Sequence, residues 1–196
     1  MSIKKFGMNI RMGKIADCLY GILDGNGKVL DVGAGNGYIS YYLQNKFGCK
    51  IQCADIMNYL EYDFPFSKIS GPKLSFNDDS FDIVMIIDAL HHMAGDTQVA
   101  MLQEAARVAK KVFIFETKRT FIAMLLDHLI NKLHNILMPV PCTHKTRNGW
   151  EKTFSDLGFE FKEIKIKRGW LYPLEHLCFI INKPIFTGYN ELGVGE

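Results

Sequence analysis

The stretch KVLDVGAGNG at residues 28–37 decides the fold, because an apolar strand pattern runs directly into a turn that is rich in glycine. YISYYLQNKFG at 38–48 follows, with apolar residues at helical spacing and a glycine stop. KIQCAD at 50–55 then gives a second strand pattern that ends in an acid. A strand, a glycine turn, a helix and a second strand form the unit from which open, mostly parallel α/β sheets are built.

The same alternation continues along most of the chain and predicts a single α/β domain over residues 1–196. FDIVMIID at 81–88 is almost continuously apolar, as in a strand that is buried on both faces. We expect Asp96 or Thr97 to cap the helix that follows. Helices are also predicted over 9–23, 96–109 and 150–158, and strands over 68–74, 111–117, 159–168 and 176–182. Helices on both faces of the sheet would make a three-layer sandwich.

The composition excludes some classes of partner and favours a small molecule. Of the 196 residues, 48% are hydrophobic, and 23 basic against 21 acidic side chains give a net charge of +2. Because no block of positive charge is present, we expect neither nucleic acid nor an anionic membrane as a partner. The sequence contains no run of about eighteen apolar residues, so no stable membrane insertion is expected.

The cysteines and the N-terminal residues indicate a cytoplasmic protein without a metal. The five cysteines are scattered and include no C-x-x-C pair, a pattern more typical of free thiols in a reducing compartment than of a zinc site. MSIKKFGMNIRMGK, at the start of the sequence, lacks an apolar run long enough for a signal peptide. The sequence predicts no particular oligomeric state.

The glycine turn predicts a nucleoside-type cofactor. Ligands of open α/β sheets bind beyond the carboxyl ends of the strands, where a turn without side chains lets a ligand touch the backbone. Gly33 and Gly35 permit that approach, and Gly37 allows the helix to begin tightly. Asp55 ends the next strand, where a carboxylate can accept hydrogen bonds from both ribose hydroxyls.

Charge and spacing favour one nucleoside cofactor over another. A dinucleotide fingerprint has the spacing G-x-G-x-x-G, whereas this turn has G-x-G-x-G. Asp31 ends the first strand and Asp88 ends the strand at 81–88, so both are expected at the crevice. Two carboxylates would repel a diphosphate and attract the ammonium and sulfonium groups of S-adenosylmethionine. We therefore expect S-adenosylmethionine rather than NAD.

Three stretches of the chain resemble one family, the class I S-adenosylmethionine-dependent methyltransferases, and within it the type 11-like group that acts on small molecules. VLDVGAGNGYIS is similar to the first motif of the family, LSFNDDSFDIVMIIDALHHM (74–93) to the stretch through the fourth strand, and EKTFSDLGFEFKEIK (151–165) to a later helix and strand. The resemblance covers roughly 28–117 and 150–182. It implies a Rossmann-like sheet of seven mostly parallel strands, with the last strand, 176–182, antiparallel.

The resemblance also implies which residues hold S-adenosylmethionine. Asp55 would bind the ribose, and Ile56 and Met57 would flank the adenine. Where the family often has an acid at the adenine amine, this chain has Ser70-Gly71-Pro72, so the contact is expected from the backbone near 75–76. The residues that would line the methionine and ribose portions are Asp31, Gly33, Ala34, Gly35, Gly37, Asp88 and Ala89.

Three histidines are candidate catalytic residues, as a general base or as groups that orient the acceptor. His91 and His92 follow the fourth strand, and His144 resembles a position from which family members direct a histidine at the substrate. Methyl transfer from a sulfonium requires alignment and exclusion of water, and it requires a base only if the acceptor must lose a proton. The alternative is that His91 and His92 pack in a turn and that His144 lies in an exposed loop.

The segment at 118–147 carries an apolar stripe whose role the sequence leaves open. Such a stripe is most often part of a core, but it is also typical of a helical lid over a crevice that admits an apolar acceptor. A helix that touches lipid is disfavoured, because the polar side has few lysines. The stripe consists of Ile122, Leu125, Leu126, Leu129, Leu133, Ile136 and Leu137.

We therefore predict an S-adenosylmethionine-dependent methyltransferase that acts on a small acceptor, for which the stripe at 118–147 favours an apolar molecule. One alternative is a non-catalytic regulatory module that binds S-adenosylmethionine or another nucleoside. Tight cofactor binding without methyl transfer would indicate that module. A second alternative, an NAD-dependent oxidoreductase, would bind NAD measurably.

Overall fold

A computed structural model of the chain describes residues 3–120, 143–166 and 175–182, and it shows one seven-stranded sheet with helices on both faces. The helices are α1 (Ile3–Leu19), α2 (Tyr38–Phe47), α3 (Gly95–Val108) and α4 (Arg147–Asp156), with a short 3-10 turn at Leu90–His92. The strands are β1 (Lys28–Val32), β2 (Lys50–Asp55), β3 (Phe66–Lys68), β4 (Phe81–Ile87), β5 (Ala109–Thr117), β6 (Glu160–Glu163) and β7 (His176–Asn182).

The strand order is β3-β2-β1-β4-β5-β7-β6. β7 runs antiparallel to both of its neighbours, β5 and β6, and the other neighbouring pairs are parallel. The predicted Rossmann-like sheet with an antiparallel last strand is therefore confirmed. Within the described residues, no helix combines the length and the apolar character that crossing a membrane requires.

The chain order places the switch point of the sheet between β1 and β4. From β1 the chain builds outward through β2 to β3, and it then returns to the other side of β1 with β4. Val32, the last residue of β1, lies between Ala54 and Ile86 in the register of the sheet. The carboxyl ends of these three strands therefore lie side by side, which is where open α/β sheets bind their ligands.

Each face of the sheet has its own core. α1 and α2 cover one face, and α3 and α4 cover the other. Phe113 of β5 packs under α1 and α2, whereas the next residue, Ile114, packs under α3 and α4. Burial on both faces explains why the inner strands are almost continuously apolar. In α1 the fully buried residues recur at the predicted helical spacing and include Met12, Ile15 and Leu19.

Several element boundaries differ from the predicted ones. β3 pairs Lys68 with Asp55, the last residue of β2, so the strand ends there instead of covering 68–74. β6 ends at Glu163, and the described residues that follow it, 164–166, are not part of the strand predicted over 159–168. α3 begins before Asp96, and its N-cap residue Ala94 has no capping side chain, so the predicted cap is wrong.

Part of the predicted lid lies outside the described residues. Of the segment at 118–147, the structure describes 118–120 and 143–147, and the apolar stripe lies between them. The helical lid and the single domain over 1–196 therefore remain predictions.

We expect Gly33→Ala to destabilise the fold. Gly33 has a φ of +78, and a Cβ at this position would lie 2.5 Å from the Cβ of Ala89. The left-handed conformation alone costs an L-residue about 1–2 kcal/mol, and the clash adds to it. Urea denaturation should show a free energy of unfolding that is lower by about 2 kcal/mol or more.

The control for this measurement is Gly13→Ala in α1. No described atom lies within 4 Å of a Cβ at Gly13, so the exchange should stabilise the helix by about 0.5–1 kcal/mol. If both variants unfolded at the same urea concentration, close contact at Gly33 would not matter for the fold.

Candidate functional site

The glycine turn exposes main chain at the carboxyl end of β1. Gly33 donates its N–H to the carbonyl oxygen of Ala54 at 2.8 Å, which ties the start of the turn to β2. Gly35 has a φ of +55, and no described atom lies within 4 Å of the position that a Cβ would take there. Gly37 precedes α2 and packs against Leu60. A ligand can therefore reach the backbone at Gly35.

Asp55 places a carboxylate beside that open space. Its Oδ2 accepts the N–H of Gly35 at 2.9 Å, and its Oδ1 accepts the N–H of Ile56 at 2.7 Å. A carboxylate has about four lone-pair sites, so both oxygens can accept further donors. The side chains of Ile56 and Met57, which follow, are 45% and 54% exposed. The Asp55 carboxylate can accept hydrogen bonds from hydroxyl groups, and exposed apolar side chains lie next to it. This combination fits the nucleoside portion of S-adenosylmethionine.

Asp31 is a buried carboxyl group whose ionisation is finely balanced. Only 3% of the residue is exposed, and Ser40 of α2 donates its hydroxyl to Asp31 Oδ2 at 2.6 Å. Burial raises the pKa of Asp31 to about 7; the charge of Asp55 also raises it, while Ser40 and Arg11 oppose the rise. Asp31 is therefore close to half-ionised at neutral pH, and a nearby cation would favour its charged form.

The Asp88 carboxylate is hydrogen-bonded to residues of two other elements, α1 and β5. Arg11 of α1 donates to its Oδ2 at 2.6 Å, and the N–H and hydroxyl of Thr117 donate to its Oδ1 at 2.8 and 2.9 Å. Burial would raise the pKa of Asp88, but Arg11 and the neighbouring His176 and His91 hold it below its usual value. Asp88 also has a φ of +47, an uncommon conformation that the surrounding contacts must maintain.

The charge at the crevice is therefore lower than the sequence predicted. Asp88 is paired with Arg11, and Asp31 keeps part of its proton at neutral pH. The argument that two charged carboxylates repel a diphosphate is therefore weaker than the sequence indicated, because Asp88 already has a cationic partner. The sequence analysis missed Arg11, because 77 residues separate it from its partner and it lies within an ordinary helical pattern.

The three predicted histidines form one stack. The rings of His91 and His144 are stacked with centroids 4.2 Å apart, and the tilted ring of His92 lies 4.0 Å from that of His91. His91 and His144 are 4% and 6% exposed, and His92 is exposed. Thr143 holds the two segments together, since its N–H donates to the carbonyl oxygen of His91 at 2.9 Å. The alternative, in which His144 is exposed in a loop, is wrong because the residue is buried.

Glu116 is a second residue that the sequence analysis missed. Its carboxyl group is 2.6 Å from Nδ1 of His91, and the backbone N–H groups of Ala89 and Leu90 donate to its other oxygen. It is the next-to-last residue of β5, and the sequence analysis considered acids only at the ends of β1, β2 and β4. One potential ligand atom from each of Asp88, His91 and Glu116 lies within 4.8 Å of the other two. Each of these three residues already has hydrogen-bond partners, and the absence of a metal remains a prediction.

The candidate groove at the glycine turn is open. A separate cavity of about 290 Å³ lies between α1 and the segment after β6, where Lys14, Cys18 and Ile166 line it. That cavity does not include the glycine turn. We place the site at the sheet edge, because the backbone N–H groups, carboxylates and imidazoles converge there.

Comparisons with known proteins bear on the family and on the fold. Residues 30–115 match the family described as a methyltransferase domain, so the resemblance is confirmed over this stretch. The uncharacterized methyltransferase YcgJ of Bacillus subtilis is 27% identical over 168 residues, which cover 78% of this chain and 64% of YcgJ. Sarcosine/dimethylglycine N-methyltransferase of Halorhodospira halochloris is 28% identical over 150 residues, 67% of this chain and 51% of that enzyme. The chain thus spans between half and two thirds of these relatives.

A solved structure shows the same fold. Magnesium protoporphyrin IX methyltransferase of Synechocystis PCC 6803, with bound SAH, superposes with a TM-score of 0.64 at 18% identity. The superposition covers 90% of this chain and 84% of that one. The matching domain and this fold are those of proteins that use S-adenosylmethionine as their cofactor.

We expect Asp31 to make the stability of the protein depend on pH. Between about pH 4 and pH 7 the unfolded chain has lost the Asp31 proton and the folded chain still holds it. Raising the pH through this window therefore lowers the free energy of unfolding, by at most about 1.4 kcal/mol per pH unit. Asp31→Asn should remove that decrease, so the variant gains stability relative to the parent as the pH rises to 7.

Urea denaturation at a series of pH values tests this, with Asp82→Asn as the control. The pKa of Asp82 is lowered by hydrogen bonds from Lys110 and from the N–H of Lys28, so this variant should differ from the parent mainly above about pH 4, by a constant amount. If the free energies of unfolding of Asp31→Asn and of the parent changed in parallel with pH, the pKa of Asp31 would be the same in the folded and unfolded chains.

Proposed function

We propose that this chain, in which residues 30–115 carry a methyltransferase domain, transfers a methyl group from S-adenosylmethionine to a small acceptor. The observation that supports this most strongly is the position of the Asp55 carboxylate, 2.9 Å from the Gly35 N–H and beside open space at the switch point of the sheet. Backbone and carboxylate together offer what the nucleoside portion of the cofactor requires.

The predicted cofactor-binding residues other than Asp88 have surroundings that fit their predicted roles. Asp55 would accept hydrogen bonds from the ribose hydroxyls, and Ile56 and Met57 would contact the adenine. The backbone at 33–37 would lie against the methionine portion, whose ammonium group would favour the ionised form of Asp31. Ala89 packs on Gly33 and so shapes the floor of the groove.

Little further chemistry is required of the protein. S-adenosylmethionine supplies an electrophilic methyl group and a good leaving group when it is bound. The protein aligns the acceptor with that methyl group and excludes water. The histidine stack at His91, His92 and His144 would orient the acceptor, or accept its proton if the attacking atom carries one.

The proposal for the chemical class of the acceptor rests on the sequence pattern. The apolar stripe within 118–147 favours a helical lid and an apolar acceptor, and we propose both on that basis. Sarcosine/dimethylglycine N-methyltransferase, one of the relatives, has by its name a small acceptor. A cytoplasmic location and the absence of a nucleic-acid partner remain predictions.

The proposal predicts both cofactor binding and turnover. Isothermal titration should show binding of S-adenosylmethionine and of SAH. Incubation with methyl-labelled S-adenosylmethionine and a fractionated metabolite extract should transfer label to an extractable small molecule. Binding without transfer to any fraction would instead support the non-catalytic module, and binding of NAD in place of both compounds would contradict the cofactor.

Asp55→Ala should weaken cofactor binding by about 1.5–3 kcal/mol, which is roughly a 10- to 150-fold rise in Kd, because a charged acceptor of hydrogen bonds is lost. Isothermal titration with SAH measures the change, and circular dichroism checks that the variant is folded. Asp82→Ala is the matched control, since Asp82 lies at the opposite edge of the sheet, near the start of β4. Equal affinities for the parent and Asp55→Ala would exclude Asp55 from the cofactor site.

A further inference from the structure

The side chain of Arg11 reaches the edge of the sheet where the groove at the glycine turn opens. Its Nη2 donates to Oδ2 of Asp88 at 2.6 Å, and Asp88 directly follows β4. The next residue, Ala89, packs against Gly33 of the glycine turn. Arg11 is therefore bound to the neighbour of a residue that shapes the groove.

The course of α1 explains how Arg11 reaches this edge. Leu23 and Asp24, which follow the helix, line a cavity together with Asp82, near the start of β4. Arg11 is bound to Asp88, at the opposite end of the same strand. The chain thus passes from the ligand-binding edge of the sheet to the other edge as it runs along α1. Arg11 lies on the side of the groove.

Only part of the Arg11 guanidinium is engaged. The hydrogen bond to Asp88 uses Nη2, and no acceptor among the described residues pairs with Nε or Nη1. The side chain is 23% exposed, so it is not enclosed by the protein. A guanidinium can bind a carboxylate through two parallel N–H groups. Arg11 therefore retains donors for a second carboxylate besides that of Asp88.

The proposed cofactor has a group that requires such donors. The methionine portion of S-adenosylmethionine carries a carboxylate as well as an ammonium group, and the acids at this edge can attract only the ammonium. The positive charge of Arg11 acts on two of these acids, since it opposes the rise in the pKa of Asp31 and lowers the pKa of Asp88. Asp31 and Arg11 together would match both charges of the amino-acid group.

We propose that Arg11 binds the carboxylate of the methionine portion of S-adenosylmethionine, through N–H groups that the ion pair with Asp88 leaves available. This inference deepens the proposed function and rests on it. Asp88 would act as a support, because a guanidinium that one carboxylate already holds loses less side-chain freedom when it binds another. The N–H and hydroxyl of Thr117 hold Asp88 in turn.

The competing explanation is that Arg11 only neutralises Asp88. A buried carboxylate without a partner is costly, and this cost alone could account for the ion pair. The two explanations differ in what happens when both charges are removed together. If Arg11 only neutralises Asp88, recognition of the ligand carboxylate then returns, whereas it stays lost if Arg11 binds that carboxylate directly.

The test is isothermal titration with SAH and with decarboxylated SAH, which keeps the ammonium group and lacks the carboxylate. We expect the parent to bind SAH more tightly. Arg11→Gln should lower this preference by about 10- to 100-fold, because an uncharged amide replaces the cation. Both ligands are measured on the same variant, so a smaller folded fraction changes both constants alike and leaves their ratio unaltered.

The double variant Arg11→Gln/Asp88→Asn separates the two explanations without leaving a buried charge unpaired. We expect its preference for SAH to agree with that of Arg11→Gln within about threefold. A return to the preference of the parent would overturn the proposal.

Arg147→Gln is the matched control for both variants. Arg147 also donates through Nη2 to a single carboxylate, that of Glu163 at 2.8 Å, but Glu163 belongs to the edge strand β6. Three strands separate β6 from β1 and its glycine turn. This variant should therefore keep the preference of the parent.

The outcomes separate this inference from the proposed function. Equal binding of the two compounds by the parent would contradict only the role of Arg11, whatever the behaviour of any variant. So would a preference for SAH that Arg11→Gln leaves unchanged. A parent that binds neither compound would contradict the proposed function together with the inference that rests on it.

Discussion

The candidate site depends on a close contact between two turns, at which Gly33 has no side chain. β1 and β4 are neighbours in the sheet, and the turns that leave their carboxyl ends meet where a Cβ on Gly33 would collide with Ala89. The contact brings the glycine turn against a residue that follows β4, and no described atom lies within 4 Å of the position that a Cβ would take at Gly35. Asp55, Asp31 and the histidine stack gain their positions from this packing, since the strand ends that carry them adjoin the contact.

Four carboxyl groups at this edge of the sheet have four different environments. Asp55 is partly exposed and accepts two backbone N–H groups, which suits a residue that binds a neutral sugar. Asp88 is paired with Arg11, and Glu116 is hydrogen-bonded to backbone and imidazole. Among the described residues only Ser40 donates to Asp31, which keeps part of its proton. Burial without a paired cation accounts for this difference, because desolvation penalises the charged form.

The histidine stack joins two parts of the chain that are far apart in sequence. His91 and His92 leave β4, whereas His144 lies just before α4, and Thr143 and Gln98 connect the two segments by hydrogen bonds. The stack adjoins Glu116 at the end of β5. Two strand ends and one connecting segment therefore contribute to a single region, as is common where an α/β sheet supports chemistry.

The sequence by itself determined the elements whose signals are local. The period of apolar residues and the spacing of the glycines identified β1, α2, β2 and β4, and Asp55 was recognised because a strand ends at that position. The limit of β3 was decided by where its partner strand β2 ends, and this information is not in the segment itself. The pairing of Arg11 with Asp88 across 77 residues and of Glu116 with His91 across 25 came only from the tertiary structure. So did the partial ionisation of Asp31, because the pKa of a side chain depends on burial and on neighbouring charges that distant segments supply.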